Sequence, residues 1–82
     1  MKETAYLKLA FIKHEQRKYE EAIEYYNKID SKTEDILLNL SECYYKIQKY
    51  QEGNQALEKI KIDKISEPSR YYLLKGKYLD ME

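Results

Sequence analysis

Apolar side chains recur along this chain at intervals of three and four, the spacing of one face of an α-helix, with charged residues between them. Residues 3–15 place Tyr6, Leu9, Ala10 and the methylene stem of Lys13 on one face, and Leu7 with Phe11 on a second. Residues 19–29 carry Tyr19, Ala22, Ile23, Tyr26 and Ile29 at the same intervals. Residues 34–47 align Leu37, Leu40, Ser41 and Tyr44, while Leu38 and Tyr45 form a second stripe with Glu42 between them. A fourth helix opens near Tyr50 and takes in Leu57 and Ile60. Beyond Pro68, the run Tyr71, Leu74, Tyr78 and Met81 predicts a fifth. Five helices on short connections give an all-α fold of antiparallel neighbours. The second stripes imply that a helix meets two neighbours, or has one core face and one face that binds.

The breaks in this pattern are informative. Gln16-Arg17-Lys18 must turn the chain without glycine, so any left-handed residue there costs free energy. Between the second and third helices, Thr33 fits an N-cap, and Ser31 with Glu34 at the third position after it fits a capping box; both remain open. Gly53 lies inside the fourth helix, where it costs about 1 kcal/mol against alanine. A close helix crossing would explain it, and a local weakness is the plainer alternative. Residues 61–67 are the least regular, with Ile60, Ile62 and Ile65 finishing the fourth helix or covering its end. Pro68 suits the first turn of the last helix, after Ser66 or Glu67.

A longer period overlies the helical one. Lys18-Tyr19-Glu20-Glu21-Ala22 returns as Lys49-Tyr50-Gln51-Glu52-Gly53, and at the same offset Lys28-Ile29 returns as Lys59-Ile60. A period of this length marks a stacked repeat array. Tyr6, Leu9-Ala10, Tyr19, Ala22 and Tyr26, then Leu37, Leu40-Ser41, Tyr44, Tyr50, Gly53 and Leu57, then Tyr71, Leu74 and Tyr78 resemble the tetratricopeptide repeat signature. Lys13, Ile29, Ile60 and Lys75 depart from it, the usual proline is missing at Glu34, and the period falls somewhat short of the usual one. The resemblance implies one domain over 1–82, with a first repeat at 3–32, a second at 33–65 and a terminal half repeat or capping helix at 68–82.

The resemblance also implies a superhelix whose concave groove binds a peptide or helix of a partner protein. Carried over by position, the groove takes Thr4, Leu7, Lys8, Phe11, His14 and Glu15 from the first unit. Asp35, Leu38, Asn39, Glu42, Tyr45 and Lys46 follow from the second, and Ser69, Tyr72, Leu73, Gly76, Leu79 and Asp80 from the third. Leu7, Phe11, His14, Leu38, Asn39, Glu42, Tyr45, Tyr72 and Leu79 are the partner-binding candidates, an apolar and aromatic surface with a charged rim. Some family members clamp a terminal carboxylate with lysine and asparagine. Here only Asn39 matches, with Leu7, Phe11, Ser69 and Leu73 at the other positions, so that mode is rejected.

Composition narrows the functional classes. Fifteen basic residues balance fifteen acidic ones, interleaved along the chain, which argues against a nucleic-acid footprint or a membrane-binding basic patch. No apolar run suggests a signal peptide or a spanning segment, and a cytoplasmic location is expected. Ten tyrosines supply rigid contact area. A single cysteine, Cys43, excludes an internal disulfide and sits where a small buried residue is expected. His14, the only histidine, cannot build a multi-histidine metal site; it reads as a solvated or rim residue, with pairing to Glu15 or to a groove ligand as the alternative. No cofactor, metal or enzymatic activity is expected; only a pocket converging His14, Cys43 and a carboxylate would point to chemistry. An 82-residue core supplies roughly 3–5 kcal/mol, which favours a homodimer, with structural oligomerisation as the alternative function.

Overall fold

The computed structural model describes residues 2–80, and these form five α-helices and one short 3-10 turn. The helices are α1 (Lys2–Glu15), α2 (Tyr19–Asn27), α3 (Glu34–Lys46), α4 (Tyr50–Glu58) and α5 (Pro68–Asp80), with the 3-10 turn at Ile62–Lys64. α1 packs on α2 and α3 on α4 as hairpins; α2 meets α3, and α4 meets α5, to stack them as a short superhelix. The molecule measures 37 × 27 × 18 Å. Its smallest dimension is two helix layers thick, with α1, α3 and α5 in one layer and α2 and α4 in the other. The expected all-α hairpin stack is therefore the observed one. Met81, expected on the last helix, lies outside the described residues.

The two hairpin turns are built identically. Arg17 has φ 63° and Gln48 φ 66°, both left-handed. Arg17 N–H donates to the His14 carbonyl and Lys18 N–H to that of Lys13; Gln48 to Tyr45 and Lys49 to Tyr44 repeat the pattern one period on. This is the Schellman motif with arginine and glutamine where glycine is usual. Backbone carbonyls left over at each helix end are thereby satisfied, and the chain reverses within a short turn.

α2 and α4 end earlier than the apolar spacing predicts, at Asn27 and Glu58 rather than Ile29 and Ile60. Their last turns tighten: Ile29 N–H donates to Tyr26 and Ile60 N–H to Leu57, bonds of the 3-10 type. Both isoleucines leave the helix yet stay buried, plugging the bottom of each hairpin. Thr33 is the N-cap of α3, its hydroxyl accepting from Ile36 N–H, which settles the choice against Ser31.

Two clusters fill the interior. Ala10, Ala22, Ile23, Tyr26, Ile29, Ile36, Leu40 and Cys43 lie between the first hairpin and α3. Leu37, Leu38, Leu57, Ile60, Ile65, Tyr71, Leu74 and Tyr78 lie between the second hairpin and α5. α3 thus buries two faces, and Leu40 and Cys43 turn to α2 while Leu37 and Leu38 turn to α4. Gly53 marks a close crossing. A Cβ there would fall on the Tyr78 hydroxyl and lie 3.1 Å from Tyr44 Cβ. Tyr78 uses that space to donate to the Ser41 carbonyl, while Ser41 Oγ donates to the Gly53 carbonyl at 2.9 Å. Three helices are locked through one missing methyl group. At the matching place in the first hairpin, Ala22 keeps its Cβ, because position 47 holds an isoleucine where position 78 holds tyrosine.

Candidate binding surface

The concave layer presents the faces of α1, α3 and α5 that neither core cluster uses. Phe11, Glu42 and Leu73 stand one repeat period apart and form one strip across the three helices. Phe11 is 44% and Leu73 66% exposed, two apolar knobs flanking a polar centre. There the Arg70 guanidinium donates to Asn39 Oδ1 at 3.0 Å and to Glu42 Oε2 at 2.9 Å. His14 Nε2 lies 3.3 Å from Glu42 Oε1, so one carboxylate joins α1, α3 and α5. From His14 to Glu42, and from Glu42 to Arg70, the separation is about one helical turn short of the repeat period, and each side chain therefore reaches diagonally to its neighbour.

The His14 hydrogen bond, and after it the Arg70 guanidinium, hold the Glu42 carboxyl down at about 2 against the opposing effect of partial burial. An ionised carboxylate accepts only, so His14 donates this bond from Nε2. Nδ1 lies 3.8 Å from Cys43 Sγ. Histidine, cysteine and a carboxylate therefore do converge, the arrangement that the sequence held out as a sign of chemistry. The thiol, however, is 0% exposed, and burial first and the Glu42 charge second push it up to about 12. It stays protonated. A nucleophile needs thiolate character and access, and Cys43 has neither.

Beside this network a hollow of about 530 Å³ opens between α1, α3 and the start of α5. Phe11, Glu15, Asp35, Asn39, Glu42, Glu67 and Arg70 line it with His14 and Ser66, so acidic groups predominate. Asp35 accepts from Ser66 N–H and Oγ–H, fixing the chain as it enters α5. A smaller hollow of about 160 Å³ adjoins it, between Tyr45, Lys46, Leu73 and Lys77, and is basic. Under the larger hollow, Tyr26 packs edge-on against Phe11 and His14. Burial above all, and Cys43 next, push its phenol well above the usual range; the Asn39 carboxamide offsets part of this without reaching hydrogen-bond geometry.

Of the residues singled out from sequence, Phe11, His14, Asn39 and Glu42 meet at this one hollow. Tyr45 lines the smaller one and packs edge-on against Tyr50 and Tyr78. Leu7 is half-buried against the first core cluster. Leu38 is a correction: it is 1% exposed and belongs to the second cluster, because its position on α3 turns to α4. Tyr72 and Leu79 are exposed but lie on neither hollow. The surface is therefore polar at its centre rather than apolar and aromatic throughout, and His14 pairs with Glu42 rather than Glu15. The sequence reading names Ser69 and passes over Arg70, although Arg70 stands one repeat period after Asn39 and the offset alone points to it.

Among the described residues, no group of three or more histidine, cysteine or acidic side chains is placed to hold a metal ion, and no helix is long and apolar enough to cross a membrane. No curated protein and no solved structure matches the chain. The family model described as tetratricopeptide repeat matches residues 5–78. Stacked hairpins, small residues at both helix crossings and that match agree, and the chain belongs to the tetratricopeptide repeat family.

Proposed function

We propose that this chain is a protein-interaction module of two and a half repeats that seats a peptide or helix of a partner protein along its concave layer, in an adaptor or assembly role and without chemistry of its own. The observation that carries this is the strip Phe11–Glu42–Leu73. Two large apolar side chains stay 44% and 66% exposed on either side of a fixed polar centre. Apolar anchors supply most of the energy of such contacts, and charged neighbours set register and partner choice. A ligand that buries Phe11 and Leu73 meets the Arg70–Glu42–His14 network already ordered, so little is lost in arranging it. The sealed Cys43 supports a binding role over a catalytic one.

Selection of a displayed peptide library on the chain, followed by titration of the recovered peptides, tests this. Phe11→Glu and Leu73→Glu should each abolish binding while leaving stability within about 0.5 kcal/mol, as for exposed sites. Binding that survives both changes would reject the concave layer as the binding surface. A large loss of stability would instead make these side chains part of the fold.

A further inference from the structure

We propose that the outer face of α5, the row Tyr72–Gly76–Leu79, pairs with the same row of a second copy of this chain, the two helices antiparallel about a two-fold axis near Gly76. Ala10, Ser41 and Tyr72 occupy one position in three successive units, each a repeat period after the last. Ala10 and Ser41 are both 0% exposed, each covered by the second helix of its hairpin, whereas Tyr72 is 58% exposed. The face that α1 turns to α2, and α3 to α4, is thus bare on α5 among the described residues. Its covering elsewhere, twice in this molecule, is an antiparallel helix.

The second α5 meets that requirement by symmetry. A Cβ built on Gly76 has no heavy atom within 4 Å, so another backbone can approach there, between Tyr72 and Leu79, the latter also 58% exposed. With the axis at Gly76, positions four before and four after lie opposite, which sets each Tyr72 hydroxyl to donate to Asp80 of the other copy. The lysines of α5 do not obstruct the approach: Lys75 Nζ lies 5.8 Å from the Tyr71 ring and Lys77 Nζ 5.8 Å from the Tyr45 ring. Zero net charge adds no long-range repulsion between copies. The other bare apolar row, Leu9 and Ile12 on α1, is the counterpart of Leu40 and Cys43, which meet α2. Joining α5 to that row of another copy would grow head-to-tail without closing, while the α5 pair closes at two.

Sedimentation equilibrium of the 82-residue chain, from low micromolar to near-millimolar concentration, should show a mass rising from 10.0 kDa towards twice that value and stopping there. Leu79→Glu should weaken association at least about tenfold, with helical content unchanged. A mixture of Tyr72→Cys and Asp80→Cys chains, which leaves Gly76 in place, should give an inter-chain disulfide on mild oxidation far faster than a mixture of Tyr72→Cys with Lys59→Cys, at the exposed residue that follows α4. A chain monomeric throughout, open-ended growth, or a dimer that the Tyr72→Cys and Asp80→Cys pair does not cross-link would overturn the proposal. Phe11 lies on α1, away from the paired row on α5, so Phe11→Glu should leave the dimer intact.

Discussion

Alanine at position 53 would gain about 1 kcal/mol of helix propensity over glycine. Yet its methyl group would fall on the Tyr78 hydroxyl, in a ring hemmed in by Tyr45 and Tyr50. Overpacking of this kind costs about 1–3 kcal/mol, and the tyrosine would also lose its bond to Ser41, so the crossing term wins. Gly53→Ala should therefore lower stability in urea melts, against the propensity scale. The first hairpin supplies the control, since it combines Ala22 with Ile47 where the second combines Gly53 with Tyr78. Adding Tyr78→Ile to Gly53→Ala should cost less than the sum of the two single changes, by about 1 kcal/mol or more. Strict additivity would mean that the tyrosine and the glycine do not share the space.

Element boundaries show what periodicity conveys and what it leaves out. The intervals of three and four locate every helix because burial follows the same period. They overrun α2 and α4, since Ile29 and Ile60 stay apolar and buried after the backbone has left the helix. Leu38 falls on the wrong surface for a related reason: α3 buries two faces, and a stripe alone does not say which is solvated. Arg70 lies hidden behind its neighbour Ser69, as long polar side chains reveal their partners only when three helices are placed together. The turns are legible in their cost but not in their geometry. Arg17 and Gln48 each bear a left-handed conformation that costs a side-chain-bearing residue about 1–2 kcal/mol. Arg17→Gly and Gln48→Gly should each raise stability by about 0.5–1 kcal/mol after the extra entropy lost by glycine. They lie in different hairpins, so their effects should add, and thermal melts of the double variant should rise by several degrees. No gain from either would show that the Schellman geometry is relaxed in solution.

At the scale of the whole molecule, the concave layer is tied across its width by one carboxylate. Glu42 receives His14 from α1 and Arg70 from α5, and its own helix stands between them. Asp35–Ser66 and Lys13–Glu21 are further carboxylate ties between elements, so the difference between the parent chain and a Glu42 variant, rather than acid alone, isolates this one. The Glu42 carboxyl is lowered from 4.5 to about 2 by the fold. A group whose pKa is depressed by folding contributes stability that is present in full above its unfolded value and fades as pH falls through its folded one. The contribution should thus hold from neutral pH down to about 4.5 and disappear towards 2. Glu42→Gln cannot ionise, and should be less stable than the parent chain at pH 7 while converging with it near pH 2. Urea melts of both across this range would check the difference. Parallel curves would mean that the His14 and Arg70 bonds add nothing to the folded state. Convergence would also bear on binding, because releasing Arg70 from Glu42 frees the polar centre between Phe11 and Leu73. A peptide held by that centre should then lose affinity in acid before the helices melt, whereas one held by the two apolar knobs alone should not.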